Sequence, residues 1–191
     1  MSGDLVGILA LQGDFEAHAE SLAGRGVPTR WVKREHDLED LTALVLPGGE
    51  SSVMLKLAAI NELEAPLCAL IASGLPVLAT CAGLILLARS VRTPEQQSLG
   101  MIDCVVERNG YGRQVHSAVH RVTGHNGLPD FDAVFIRAPR IVEVAPTVEV
   151  LAEWNGDPVL VRQDNVLAAC FHPELVDPSP TLDLFLSAGT H

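Results

Sequence analysis

Cys81 lies in PVLATCAGLILL, residues 76–87, where an apolar stretch of strand character passes through Thr80-Cys81-Ala82-Gly83 into a helical apolar pattern. A cysteine at such a strand-to-helix turn is a candidate nucleophile, because the sharp turn exposes its sulfur at the end of a sheet. The helix that follows aims free N–H groups and its positive dipole end back at the sulfur, which favours the thiolate, the species that attacks a carbonyl carbon. Toward the other end, Cys170-Phe171-His172-Pro173-Glu174 supplies possible partners. Pro173 pushes His172 into an extended conformation, and residues two apart on an extended chain project to the same side, so His172 and Glu174 are expected to be neighbours. A carboxylate beside one imidazole nitrogen fixes the tautomer and leaves the other nitrogen to exchange a proton with a nucleophile. Cys81, His172 and Glu174 together have the composition of a nucleophile, base and orienter set for covalent acyl transfer.

Such a set needs a scaffold that carries distant segments to one place. Residues 5–11 form an apolar run of strand length, followed by Gln12-Gly13-Asp14 and a helical stretch to about Arg25 that Asp14 is placed to cap and that Gly24 and Gly26 end. Short strands are expected at 29–32, at 43–46 before Pro47-Gly48-Gly49, and at 76–79; helices are expected after Ser51 or Ser52 as cap, and over 64–72. Strands apolar on both faces, alternating with helices, argue for a doubly wound, mostly parallel α/β sheet. The later chain changes character. Strands at 100–107, 133–136, 148–153, 158–161 and 166–170 are separated by turn residues, with Asn155-Gly156-Asp157 as a hairpin turn, and predict an antiparallel extension before a last helix over 180–187.

In open parallel sheets ligands sit beyond the carboxyl ends of the strands, near the switch in strand order. That rule selects the turns at Gln12-Gly13, Gly48-Gly49 and Cys81. Glycines let the backbone approach a ligand closely, so the Gly49 N–H, with that of Ala82, is a candidate oxyanion hole.

The chain has 191 residues, suited to one domain with a substantial core, and 48% of them are hydrophobic against 19% charged. Its 24 Asp and Glu outnumber 13 Lys and Arg for a formal net charge of −11, which argues against nucleic acid or an anionic membrane as partner. The start MSGD lacks the basic residues of a signal peptide, and no apolar run is long enough to span a membrane, so a cytoplasmic enzyme is the expected class. The cysteines at 68, 81, 104 and 170 are widely spaced with no CxxC, which indicates neither a zinc site nor a disulfide framework. No metal or organic cofactor is expected.

With PGGES at 47–51, ATCAG at 79–83 and HPE at 172–174 in that order, the chain resembles class I, triad-type glutamine amidotransferase domains. LQG at 11–13, LPGGESS at 46–52, TCAGLILLA at 80–88, VERNGYGRQV at 106–115, FIRAP at 135–139 and FHPEL at 171–175 narrow the likeness to the glutaminase subunits of pyridoxal 5'-phosphate synthases. The resemblance spans the whole of 1–191 as a single glutaminase domain. It implies hydrolysis of L-glutamine to glutamate and ammonia, with Cys81 as nucleophile, His172 as base and Glu174 as its orienter. It implies glutamine binding by Gly49, Glu50, Ser51, Arg108, Ile136 and Arg137, and a hetero-oligomeric partner, the synthase subunit, that receives the ammonia. Arg and Glu are apt for the carboxylate and ammonium of a free amino acid. Two positions depart from the family pattern: Ala79 stands where Gly is usual before the nucleophile, and Tyr111 where Phe is usual, bringing a hydroxyl that wants a partner.

Overall fold

The computed structural model describes residues 4–111 and 117–188. Its elements are, in chain order, β1 (Val6–Leu9), α1 (Phe15–Ala23), β2 (Thr29–Val32), β3 (Ala43–Leu46), α2 (Ser51–Ile60), α3 (Glu64–Ala72), β4 (Val77–Thr80), α4 (Ala82–Leu87), β5 (Ala88–Arg92), β6 (Ile102–Glu107), β7 (Ser117–Gly124), β8 (Phe131–Ile136), β9 (Arg140–Val144), β10 (Glu149–Trp154), β11 (Asp157–Gln163), β12 (Val166–Ala169) and α5 (Pro180–Ala188). A nine-stranded sheet runs in the order β2-β1-β3-β4-β12-β11-β10-β7-β8, and β5-β6-β9 form a second sheet of three strands. The first five strands of the large sheet pair in parallel and the other four extend it antiparallel. The expected mostly parallel α/β sheet with an antiparallel extension is the architecture observed.

Sequence explains the division. β1, β3, β4 and β12 are four-residue strands buried at every position, as covering on both faces demands. β8 instead alternates buried with more open positions, the pattern of a sheet with one wet face. Asn155 and Gly156, both at positive φ (53° and 83°), make the tight turn from β10 to β11, where two left-handed residues match the twist of the paired strands.

Two local expectations are corrected. Asp14 occupies the N-cap position of α1, but its side chain makes no capping hydrogen bond. Neither Ser51 nor Ser52 caps α2; the N-cap residue is Glu50, the Ser51 hydroxyl donates to Gln96 Oε1 at 2.9 Å, and the Ser52 hydroxyl donates to Glu50 Oε1 at 2.9 Å. The apolar run after Cys81 is helical to Leu87, as expected, and there the chain turns directly into β5. β5, β7 and β9 were not anticipated by the sequence reading.

The parallel register brings the site together. Thr80 at the end of β4 is paired with Ala169 at the end of β12, and the Cys81 N–H donates to the Ala169 carbonyl at 2.8 Å. The turns after β1, β3, β4 and β12 therefore share one edge. The far side of the large sheet returns to this edge as well: the His172 N–H donates to the Val134 carbonyl of β8 at 2.9 Å. Among the described residues no helix is long and apolar enough to cross a membrane.

Candidate active site

Cys81 sits at φ 48°, ψ −101°, between β4 and α4. That backbone region is sparsely populated for a residue with a Cβ, and it is the strained turn expected of a nucleophile elbow. Close packing holds the turn in place. A Cβ on Gly83 would fall 2.1 Å from the Leu46 carbonyl oxygen, so only glycine lets the first turn of α4 lie against the end of β3. Ala79 is wholly buried within β4, and its methyl is accommodated there.

His172 and Glu174 do meet. His172 Nδ1 and Glu174 Oε1 are 2.7 Å apart in a buried hydrogen bond, which leaves Nε2 as the free ring nitrogen. Burial alone would lower the His172 pKa, but hydrogen bonds with Cys81 and Glu174 and the charges of both outweigh it and raise the value to about 10. Glu174 is opposed in the same way: burial pushes its carboxyl up, while the hydrogen bond and charge of His172 help bring it below its ordinary value. The pair is therefore an imidazolium against a carboxylate, charged on both sides because each stabilises the other. Asp14 Oδ2 also stands 4.0 Å from His172 Nδ1. The group Asp14, His172 and Glu174 has donor atoms close enough to hold a cation, but His172 Nδ1 is already engaged by Glu174.

A cavity of about 100 Å³ opens beside the sulfur, lined by Asp14, Gly49, Glu50, Cys81, Arg108 and His172 among others, with Ser51, Ile136 and Arg137 also on its wall. It is far smaller than pockets for drug-sized ligands, which run to several hundred Å³. Only a small substrate fits. Of the residues assigned by resemblance to glutamine binding, all six reach this cavity. Ala82 does not line it, although it follows Cys81 directly and is buried. Arg108 Nη2 and Glu50 Oε1 are paired at 2.5 Å, and Glu50 lies below its usual pKa, chiefly because Ser52 hydrogen-bonds to it and then because of the Arg108 charge. Arg108 and Glu50 thus present a cation and an anion to the cavity, with Arg137 and Asp14 also on its wall, charges that complement an amino acid's carboxylate and ammonium. The Cys81 thiol has the Ile136 carbonyl as its acceptor at 3.9 Å. Arg137 is exposed at φ 43°. The Gly112-Arg113-Gln114 part of the VERNGYGRQV segment, with Val115, lies outside the described residues. Tyr111 packs edge-on against Trp154 at 5.3 Å, and its buried hydroxyl has no hydrogen-bond partner among the described residues.

Several neighbours were missed by the sequence reading. Gln12 Oε1 accepts from the Glu50 N–H at 2.6 Å and so fixes the glycine turn, and Gln96 takes the Ser51 hydroxyl. His18 is wholly buried on α1 behind Glu174. Its position three residues after Phe15 and four before Leu22, on the inward stripe of the helix, was the available signal.

Burial is the main cause that pulls the His18 pKa down, with the His172 charge acting the same way and Glu174 and Asp14 opposing. A histidine depressed on folding stays neutral while the unfolded chain takes up a proton below its ordinary value of 6.5, so this stabilisation is present above pH 6.5 and lost as pH falls below it. His18→Gln is therefore expected to flatten the acid side of the stability curve, by up to about 1.4 kcal/mol per pH unit. Urea unfolding at about pH 7 and about pH 5.5 checks this; equal pH slopes for the two proteins would mean that His18 titrates normally in the fold.

Comparison with known proteins agrees with the geometry. Residues 8–188 match the SNO glutamine amidotransferase family. The chain is 47% identical over 173 residues to the pyridoxal 5'-phosphate synthase subunit PdxT of Thermotoga maritima, covering 90% of this chain and 92% of that protein. It is likewise 47% identical over 186 residues to the subunit of the same name from Koribacter versatilis, covering 95% of this chain and 93% of the other. A crystal structure of a glutamine amidotransferase superposes with a TM-score of 0.91 at 42% identity, over 97% of this chain and 99% of that one. By the span of the family match and by these identities, the chain belongs to the SNO glutamine amidotransferase family.

Proposed function

We propose that this protein is the glutaminase subunit of a pyridoxal 5'-phosphate synthase, a single glutaminase domain that releases ammonia from L-glutamine for a partner synthase subunit. The observation that carries this reading is the joining of Cys81, His172 and Glu174 to a small cavity that also presents Arg108 and Glu50. The relatives' own names, subunits of pyridoxal 5'-phosphate synthase, support the partner. Pyridoxal 5'-phosphate is then the product of the assembly and not a cofactor of this chain, and the work is done in the cytoplasm.

The Cys81 thiolate attacks the side-chain amide carbon of glutamine. The tetrahedral oxyanion is received by the N–H groups of Gly49 and Ala82; Ala82 is the first residue of α4, where N–H groups have no partner within the helix. His172 gives its Nε2 proton to the departing nitrogen, ammonia leaves, and a γ-glutamyl thioester remains on the sulfur. His172, now neutral, takes a proton from water, whose oxygen attacks the thioester and releases glutamate. Glu174 keeps the imidazole in the Nδ1–H tautomer throughout. Arg108 binds the substrate carboxylate and Glu50 its ammonium, which parts the ion pair they now form with each other. Gly49, Ser51, Ile136 and Arg137 complete the wall.

Measuring glutamate release with and without the added synthase subunit tests this reading. Slow hydrolysis by the isolated chain, accelerated by the synthase, is expected; no glutamate in either case, with binding demonstrated by sedimentation, would overturn it. Arg108→Ala and Arg137→Ala are expected to raise the KM for glutamine about tenfold or more while Cys81 stays alkylatable, since a charged hydrogen bond to substrate contributes roughly 1.5–3 kcal/mol. Wild-type dependence on glutamine concentration in both variants would misplace the carboxylate site.

A further inference from the structure

The carboxylate that orients His172 is itself in an unusual position. The Glu174 side chain is fully buried, and only its Oε1 meets His172. Among the described residues Oε2 has no well-formed hydrogen bond, and His18 Nε2 lies 3.3 Å from it. The same Nε2 is hydrogen-bonded to Thr80 Oγ1 at 3.1 Å, and Thr80 is the residue before the nucleophile. His18 Nδ1 is buried with no hydrogen-bond partner among the described residues. These contacts select one protonation state. A proton on Nδ1 would be an unsatisfied buried donor and would turn the Nε2 lone pair toward a carboxylate oxygen, whereas a proton on Nε2 alone faces two acceptors and leaves Nδ1 bare.

We propose that His18 is a positioning residue of the active site, its neutral Nε2–H shared between Glu174 Oε2 and Thr80 Oγ1 so that the orienting carboxylate and the nucleophile's strand are held in one register. The inference rests on the glutaminase reading for its kinetic consequences, not for its geometry. Rotation of the Glu174 carboxylate would carry Oε1 off His172 Nδ1, and His18 opposes that rotation from the far oxygen. The groups facing His18 are Glu174, His172 and Asp14. All belong to the same edge.

Side-chain shape separates positioning from mere filling of the core. The amide nitrogen of glutamine falls near the place of Nε2, that of asparagine near the place of Nδ1, and leucine fills the space with no donor. In the complex with the synthase subunit, His18→Leu and His18→Asn are expected to lower kcat for glutamate release roughly ten- to a hundredfold with little change in KM, and His18→Gln to stay within about threefold of wild type. The His172 Nδ1–H proton provides a second readout. In proton NMR it should appear far downfield, assigned by its loss in His172→Gln, and it should persist in His18→Gln but vanish or move upfield in His18→Leu and His18→Asn. If His18→Leu fails to fold, the contrast between asparagine and glutamine carries the test. Leucine or asparagine performing as well as glutamine in both readouts would reduce His18 to packing and overturn the proposal. A wild-type chain that released no glutamate would count against the glutaminase reading instead, and the NMR comparison would then decide the role of His18 by itself.

Discussion

Cys81→Ala is expected to lower glutamate release at least about a thousandfold and to leave the protein folded, because the covalent step is assigned to that one sulfur. The fold has little stake in that atom. Cys81 is 7% exposed and faces the cavity, its sulfur meets only the His172 ring and, at 3.9 Å, the Ile136 carbonyl among the described residues, and alanine keeps the Cβ that the strained backbone already accommodates. The other cysteines make poor substitutes as well as good controls. Burial pushes the Cys104 thiol up to about 12, raises Cys170 well above its ordinary value, and raises Cys68 with help from the Glu64 charge. All three are held as thiols at neutral pH, and thiols are weak nucleophiles. A diazoketone analogue of glutamine should therefore label Cys81 alone, read by peptide mass mapping, and Cys68→Ala should keep wild-type turnover. Undiminished glutamate production by the Cys81 variant, or label on another cysteine at a comparable rate, would sink the mechanism.

The parts of this molecule that could be read from the chain are those where local chemistry and tertiary context agree. β3 was placed to the residue because four apolar side chains between Thr42 and the Pro47-Gly48-Gly49 turn admit one burial state, and the Asn155-Gly156 turn because positive φ at two successive positions restricts the choice of residue. The elbow at Cys81 was legible for a related reason, since small residues flank a cysteine where a strand must become a helix without room to spare. β5, β7 and β9 were missed. β5 begins at the residue after α4 ends, so no polar break marks the change, and β7 (SAVHRVTG) mixes polar and apolar residues on a strand with β10 on one side and β8 on the other. Ser51 and Ser52 have the chemistry of caps, but Gln96 and Glu50, one of them 45 residues away, take their hydroxyls. Long-range partners of this kind leave no local trace. His18 is the sharpest case: on a helix it reads as one polar residue in an apolar stripe, and only the packing of α1 against the Pro173–Leu175 turn shows that the stripe ends on the buried Glu174 carboxylate.

Gly48→Ala is expected to cost about a hundredfold or more in kcat, the scale on which misplacement of a catalytic group by an ångström is felt. A Cβ at Gly48 would lie 2.4 Å from His172 Cε1, 3.2 Å from Nδ1 and 3.4 Å from Nε2, so it would press on the Cε1 edge of the ring, between the two nitrogens. Neither partner has freedom to retreat. The imidazole is tied by Nδ1 to Glu174, and its backbone N–H to the Val134 carbonyl, while the Gly48 carbonyl accepts the Asp14 N–H at 3.0 Å and so anchors the turn. If the ring swings away, Nε2 leaves the sulfur; if the turn backs off, it drags Gly49 and its N–H out of the proposed oxyanion position. Either response strikes the chemical step more than glutamine capture, so kcat should fall with KM changed much less. Gly24→Ala is the control, since a Cβ there would meet only the Glu20 and Ser21 carbonyl oxygens at 3.6 Å on ordinary helical backbone, and it should leave kcat unaltered. Thermal unfolding of both variants, run beside the kinetics, separates a displaced ring from a damaged fold. Wild-type kcat in a folded Gly48→Ala protein would mean that the turn does not abut His172 during turnover, and the route by which the glycine turn positions the base would have to be abandoned.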